Sequence, residues 1–286
     1  MTTQAEAATK PSIGVAILTW KAHQTLQLSL ESHRESGLLD LVDDAVVFFQ
    51  EFEPEVEVPL VEHFGWRAAG SGDNLGIHRG MEAAVAALNT DLVIYLENDC
   101  QSICSPETTK AMIEAAVRDL QAGIDTVQLS DRRNPGAPFV GVQKYMNFFP
   151  IEKPLESALP YTPPARWKTV LRRLIKGRKK AEFQIGRAVY AEEDPVSKHP
   201  EAFSKTDTGS WQTSARYFQW CNRPLLAKRD FLLNVIFKRV HTHPSSQQTP
   251  DFQTVETALR CEWWRKRNFQ FSFPEYGPFT HNRIDR

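Results

Sequence analysis

The stretch from Asp91 to Asp99, Asp-Leu-Val-Ile-Tyr-Leu-Glu-Asn-Asp, is an apolar run that stops at two carboxylates one residue apart, Glu97 and Asp99. Carboxylates are acceptor-only, hard oxygen donors. At the end of a buried strand such a pair can hold a divalent cation whose remaining positions stay open to phosphate oxygens, which is the chemistry of a nucleoside diphosphate site. The same two acids can also serve only to solvate the loop that follows a core strand. Other candidate ligands are fewer. Cys100 and Cys104 resemble half a zinc site, but no CxxC or HxxxH partner set accompanies them, and buried or incidental thiols are the simpler reading. His241 and His243, in a His-Thr-His-Pro setting that reads as a loop, form an alternative metal pair.

The elements around the acidic pair decide between these readings. Ile13 to Thr19 is an apolar run suited to a strand buried on both faces, and His23 to Ser36 reads as a helix stopped at Gly37. Ala45 to Phe49 reads as a second strand, Gly72 to Ile77 as a loop, and Arg79 to Leu88 as an alanine-rich helix ahead of the carboxylate-tipped strand. Ser105-Pro106-Glu107 has the N-cap chemistry of a helix running to Gln121, and Thr126 to Leu129 is a further strand. Strands alternating with helices at this spacing imply an α/β fold with a mostly parallel sheet flanked by helices. Ligands of such sheets bind at the carboxyl ends of the strands, where Thr19-Trp20, Gln50-Glu51 and Glu97-Asp99 fall.

Composition agrees with a folded enzyme-sized chain. The 286 residues are 41% hydrophobic and 24% charged, enough for one large α/β domain or two smaller ones. The four cysteines make no disulfide framework, which fits a reducing cytoplasm. The N-terminus lacks the basic start and apolar core of a signal peptide, and no segment is a membrane span. The net charge of -1 hides an asymmetry: residues 1–150 carry 10 Lys and Arg against 21 Asp and Glu, whereas residues 151–286 carry 24 against 14. The halves therefore face different chemistry or each other, and the acidic half is unsuited to nucleic acid.

A strand ending in Thr19-Trp20-Lys21, then Asn74-Leu75-Gly76 opening a helix, then Glu97-Asn98-Asp99 closing a strand together resemble the nucleotide-sugar domain of GT-A fold glycosyltransferases of the family-2 type. The resemblance covers about the first 145 residues and has a further anchor in Gly277-Pro278-Phe279-Thr280-His281. It implies a Rossmann-like GT-A domain, with residues 1–145 as the nucleotide-sugar-binding half and residues 146–286 as a basic acceptor-binding half completing the same domain. It also implies Asp99 as a direct ligand of Mn²⁺ or Mg²⁺, Glu97 nearer the ribose or the metal's waters, and His281 as a further metal ligand. An imidazole is better suited to Mn²⁺ than to Mg²⁺. Trp20 then walls the nucleobase or belongs to the core, Gln50 or Glu51 meets the base edge or ribose, Thr19 closes the strand beneath them, and Asn74 and Arg79 approach ribose and diphosphate.

An inverting transfer also needs a base for the acceptor hydroxyl. The resemblance implies an acid at the start of a helix beyond the acceptor-loop region. Glu256 is the first choice and Asp251 the second, although no clean Glu-Asp pair occurs there and a helix dipole alone favours Asp251.

The second half contains a basic amphipathic helix. Residues 166–180 hold eight Lys or Arg and no acid, with Trp167, Val170, Leu171, Leu174 and Ile175 at helical spacing. It can lie on an anionic membrane or polyanionic acceptor, or pack its apolar stripe on the core. Tyr217 to Trp220 followed by Asn222-Arg223-Pro224-Leu225-Leu226 suggests a strand with acceptor-side residues. Asp207 to Trp211 reads as a loop, and Trp211, Trp220, Trp263 and Trp264 suit sugar rings or a core equally. Two readings result. One is a metal-dependent, inverting hexosyltransferase-like enzyme using a nucleotide sugar and a glycan or lipid-linked acceptor, cytoplasmic with peripheral contact at the inner face of a membrane through 166–180, and binding no nucleic acid. The other is a catalytically idle GT-A-like module binding membrane or partner through its basic helix.

Overall fold

The computed structural model describes residues 10–136, 140–151, 155, 165–249 and 252–282. Among these residues nine strands form one sheet: β1 (Ile13–Thr19), β2 (Asp44–Gln50), β3 (Arg67–Ser71), β4 (Leu92–Glu97), β5 (Thr126–Gln128), β6 (Ser204–Lys205), β7 (Trp211–Ser214), β8 (Leu225–Lys228) and β9 (Gln270–Phe273). The order is β3-β2-β1-β4-β8-β5-β9-β7-β6. Strands β3, β2, β1 and β4 are mutually parallel. Strand β8 runs antiparallel to both β4 and β5, and β7 antiparallel to β9 and β6, so seven of the nine strands share one direction.

Helices α1 (His23–Glu35), α2 (Pro54–Glu62) and α3 (Gly76–Ala86) are the crossovers between the parallel strands, and α4 (Pro106–Gln121) leads to β5. Strand β1 shows how its sequence makes two layers. Side chains alternate across a strand, so Ile13, Val15 and Ile17 pack in one core with Leu26 and Leu30 of α1 and Ile113, Ala116 and Leu120 of α4. Ala16 and Leu18 pack in the other, with Met81, Ala84 and Val85 of α3. The strand is buried on both faces along its length, which is why it reads as an unbroken apolar run.

The structure departs from the sequence pattern in several places. Helix α3 starts at Gly76 rather than Arg79, because the Asn74 side chain accepts from the Gly76 N–H at 2.9 Å and begins the turn early. Tyr217 to Trp220 is not a strand: Tyr217 and Phe218 N–H groups bond back to Ser214, and pairing starts only at Leu225. Trp211 opens β7 instead of closing a loop, and α2 and β3 lack any clear sequence signal. Trp211 and Trp264 are buried in the core and so unavailable to a sugar, Trp220 is buried but lines the cavity described below, and Trp263 is half-buried beneath Arg239 and Arg267.

Candidate active site

The order β3-β2-β1-β4 reverses direction of chain progression between β1 and β4, and such a switch point opens a crevice at the strands' carboxyl ends. The acids of β4 lie there. Ser29 of α1 donates its hydroxyl to the Asn98 carbonyl at 2.7 Å, and the Cys100 N–H bonds the Glu97 carbonyl at 3.1 Å, which fixes the turn that presents Glu97 and buried Asp99.

The chain returns to this turn at residues 277–282. Phe279 is buried and bridges Ser102 and Ser130, the Thr280 N–H bonds the Gln101 carbonyl at 2.9 Å, and the Asn282 N–H bonds the Asp99 carbonyl at 2.7 Å. The tail lies so close that glycine is required where it is laid down. A methyl on Gly277 would come within 2.2 Å of the Leu129 carbonyl oxygen. One on Gly136, whose φ is +80°, would come within 2.0 Å of the His281 carbonyl oxygen.

This arrangement holds the imidazole of His281 with Nε2 3.0 Å from Asp99 Oδ1 and 3.5 Å from Glu97 Oε2. Burial alone would lower the imidazole, but the adjacent carboxylates of Asp99 and Glu97 outweigh it and raise His281 to about 9. Among the described residues Asp99 Oδ1 is buried and makes no directed hydrogen bond, so its approach to His281 is a charge contact. An electron-rich buried oxygen beside a second carboxylate and an imidazole is a donor set that fits a divalent cation in place of the imidazolium proton. Cys100 also lies within 4.8 Å of Asp99 and His281. Burial, reinforced by Asp99 and Glu97, holds its thiol far above the usual range, so it competes poorly as a ligand.

Glu97 and His281 form one wall of a cavity of about 330 Å³ whose other walls include Glu256, Asn222, Lys144, Arg187, Arg223 and Arg260. That volume suits a sugar ring with part of its diphosphate. Glu256 lies in the short helical turn Val255–Ala258, capped by the Thr254 hydroxyl, and is fixed at both ends: its Oε1 accepts from the Asn222 N–H at 3.1 Å, and its carbonyl accepts from Gln219 Nε2 at 3.1 Å. Asp251 lies outside the described residues.

The other sequence candidates gather at the ends of β1 and β2. Thr19 is buried there, and Trp20 beyond it is 47% exposed, which removes the core reading. Lys21 and Glu51 adopt left-handed φ of 48° and 55° and pair with each other. The Lys21 ammonium and the Trp20 side chain hold the Glu51 carboxyl below its usual range. Gln50 is buried. Asn74 opens α3 as described, and Arg79 is exposed on α3, outside the cavity lining.

The sequence does not mark the four cations of the cavity as a set: Arg223 falls within the acceptor-side segment, and Lys144, Arg187 and Arg260 are separated by dozens of residues and meet only through tertiary packing. Burial pulls Lys144 and Arg187 below their ordinary pKa, with the charges of Arg187 and Arg260 adding to it at Lys144 and those of Arg260 and Arg223 at Arg187. Such a crowded set of cations favours an anionic guest.

No protein-family profile matches the sequence, and no curated protein does. Solved structures do. Residues 1–349 of Staphylococcus aureus TarS superpose with a TM-score of 0.50 at 11% identity, over 95% of this chain and 60% of that one. Mannosyl-3-phosphoglycerate synthase from Rubrobacter xylanophilus gives 0.37 at 17% identity, over 49% of this chain and 48% of that one. Glucosyl-3-phosphoglycerate synthase from Mycobacterium tuberculosis, solved with Mn²⁺, UDP and phosphoglyceric acid, gives 0.32 at 20% identity, over 41% and 42%. The matched regions thus span two fifths to three fifths of those chains. A crevice at the β1/β4 switch point, an acid-x-acid turn at its lip and the end-to-end superposition on TarS agree on one architecture: the chain has the GT-A fold.

Proposed function

We propose that the chain is a metal-dependent glycosyltransferase that moves a sugar from a nucleoside-diphosphate sugar to a hydroxyl of a glycan or lipid-linked acceptor, with inversion. The observation that carries this reading is the meeting of Glu97, Asp99 and His281 beside a cavity whose walls also include Glu256. Residues 1–145 hold the donor and residues 146–286 the acceptor.

Asp99 and His281 would hold Mn²⁺ or Mg²⁺, with Glu97 facing the ribose or the ion's waters. When bound, that ion neutralises charge on the diphosphate leaving group. The protein's own groups do the rest. Trp20 offers a flat exposed face to the nucleobase, with Thr19, Glu51 and Asn74 around the ribose. Arg223, Lys144 and their neighbours add positive charge where the diphosphate departs, and Arg79 approaches it from α3. Glu256, held by the Asn222 N–H, accepts the proton of the acceptor hydroxyl. The hydroxyl oxygen bonds to the anomeric carbon while the carbon–oxygen bond to the diphosphate breaks on the opposite side and its electron pair leaves with the phosphate.

A thermal-shift screen of nucleotide sugars with and without Mn²⁺ tests this. A donor present at about 100 times its Kd stabilises the native state by about 2.7 kcal/mol. One donor class is expected to raise Tm by several degrees only when Mn²⁺ is present. A flat response across all donors would remove the reading.

Helix α5 (Arg166–Lys176) supports a peripheral membrane contact for the same enzyme. Among the described residues no helix is long and apolar enough to cross a membrane. Arg172 bonds the Asn147 side chain and Arg173 Nε donates to the Phe148 carbonyl at 2.6 Å, so the helix is fastened to the body by part of its basic face. Trp167, Val170, Leu171, Leu174 and Ile175 remain exposed, between 45% and 74%. An apolar stripe flanked by cations and free of acids is suited to an anionic bilayer surface. The protein is expected to float with anionic vesicles but not with neutral phosphatidylcholine vesicles, and Leu174→Glu/Ile175→Glu to abolish flotation. Flotation without any response to nucleotide sugars would favour the catalytically idle module instead.

A further inference from the structure

A second cluster of metal-ligating side chains lies away from Asp99, where α3 meets the helical turn Lys238–Thr242. His78 and Glu82 are four residues apart on α3 and so share one face of that helix. His241 comes to meet them from the facing turn: its Nε2 lies 2.6 Å from Glu82 Oε2, and its ring centroid is 4.6 Å from that of His78. One ligand atom from each of the three residues lies within 4.8 Å of the other two.

Three features distinguish this cluster from a chance surface group. His78 is buried, 3% exposed, and its Nε2 is buried with no hydrogen-bond partner among the described residues, so a ring nitrogen is left open to a ligand that no described protein group supplies. The same ring packs against the Phe237 ring, centroid to centroid 5.9 Å, a contact that helps to fix its orientation. The Phe237 backbone is placed by the π-helical run Leu232–Phe237, a geometry that is rare and concentrated at functional sites.

We propose that His78, Glu82 and His241 form a second, structural or regulatory metal site. Two imidazoles and one carboxylate are the donors of a four-coordinate, borderline-soft ion such as Zn²⁺, whereas the Asp99 site is richer in oxygen and suits Mn²⁺. His241 is exposed, so the fourth position opens to solvent, and the ion takes the place of the proton shared by His241 and Glu82.

The site joins two parts of the donor cavity. Ile77, next to His78, lines that cavity, and the His78 N–H bonds the Gln253 carbonyl at 3.2 Å, at the start of the segment that carries Thr254 and Glu256. An ion here fastens the first turn of α3 to the C-terminal region.

Equilibrium dialysis against Zn²⁺, with Co²⁺ as a spectroscopic probe, tests the proposal on the full chain without reference to turnover. The wild type is expected to bind one more Zn²⁺ per chain than His241→Ala, a surface variant whose fold is checked by circular dichroism. With Co²⁺ it is expected to show the intense visible bands of four-coordination, lost in His241→Ala and weakened in Glu82→Gln. Asp99→Ala should retain both signals, which separates this site from the proposed catalytic one. Equal Zn²⁺ stoichiometry and equal Co²⁺ spectra in the wild type and His241→Ala would overturn the proposal.

Discussion

Asp99→Ala is expected to lower metal-dependent turnover of the nucleotide sugar about a thousandfold, a loss of about 4 kcal/mol of transition-state stabilisation. Two effects combine. The substitution removes the buried oxygen that has no directed hydrogen bond among the described residues, and of these it leaves His281 with only Glu97 at 3.5 Å as an acidic partner. An ion held by fewer donors binds more weakly and offsets less of the leaving group's charge. The tail should stay in place, because its anchor is the backbone of Asp99, which accepts from the Asn282 N–H, and not the side chain. Initial rates across a Mn²⁺ titration check this. A variant that keeps wild-type kcat at saturating Mn²⁺ would show that the aspartate does not belong to the reacting centre.

Glu256→Gln should divide binding from chemistry. The amide oxygen can still accept from the Asn222 N–H, so the cavity wall survives. The lost function is proton acceptance, whose contribution is typically 10² to 10⁴ in rate, and kcat should fall by about that factor. Donor affinity, read from the Mn²⁺-dependent thermal shift, should change little. Burst or single-turnover kinetics with donor and acceptor together would show the defect in the chemical step. Unchanged kcat would send the search for the base elsewhere along the cavity wall.

How much of this was legible in the sequence follows from burial. Strands β1 and β4 are buried along nearly their whole length and read as continuous apolar runs. Ser105 accepts from the Thr108 N–H as its position before Pro106 implies. By contrast β3 is one of the sheet's two edge strands among the described residues, Arg-Ala-Ala-Gly-Ser, half-exposed and without either apolar alternation or a continuous run. Helix α2 carries Pro59 in its interior, a residue that ordinarily argues against a helix. The acid-x-acid turn was legible because its chemistry is local. The cavity's four cations were not, because they come from distant stretches. His241 was visible only as half of a His-Thr-His pair, whereas in the fold its neighbours are His78 and Glu82, and His243 bonds Thr242 instead.

Strand β8 has a consequence for how the molecule comes to exist. It lies between β4 and β5, so those two strands, neighbours in synthesis, are never neighbours in hydrogen bonding. A nascent chain that has left the ribosome only as far as α4 and β5 has a slot in its sheet that residues 225–228 must later enter, and the histidine at 281 arrives later still. Such long-range closure is slow relative to local pairing. The half-made sheet exposes an unpaired edge on β4 in the meantime, and that edge is where chaperones would meet this protein and where truncated versions of it would aggregate.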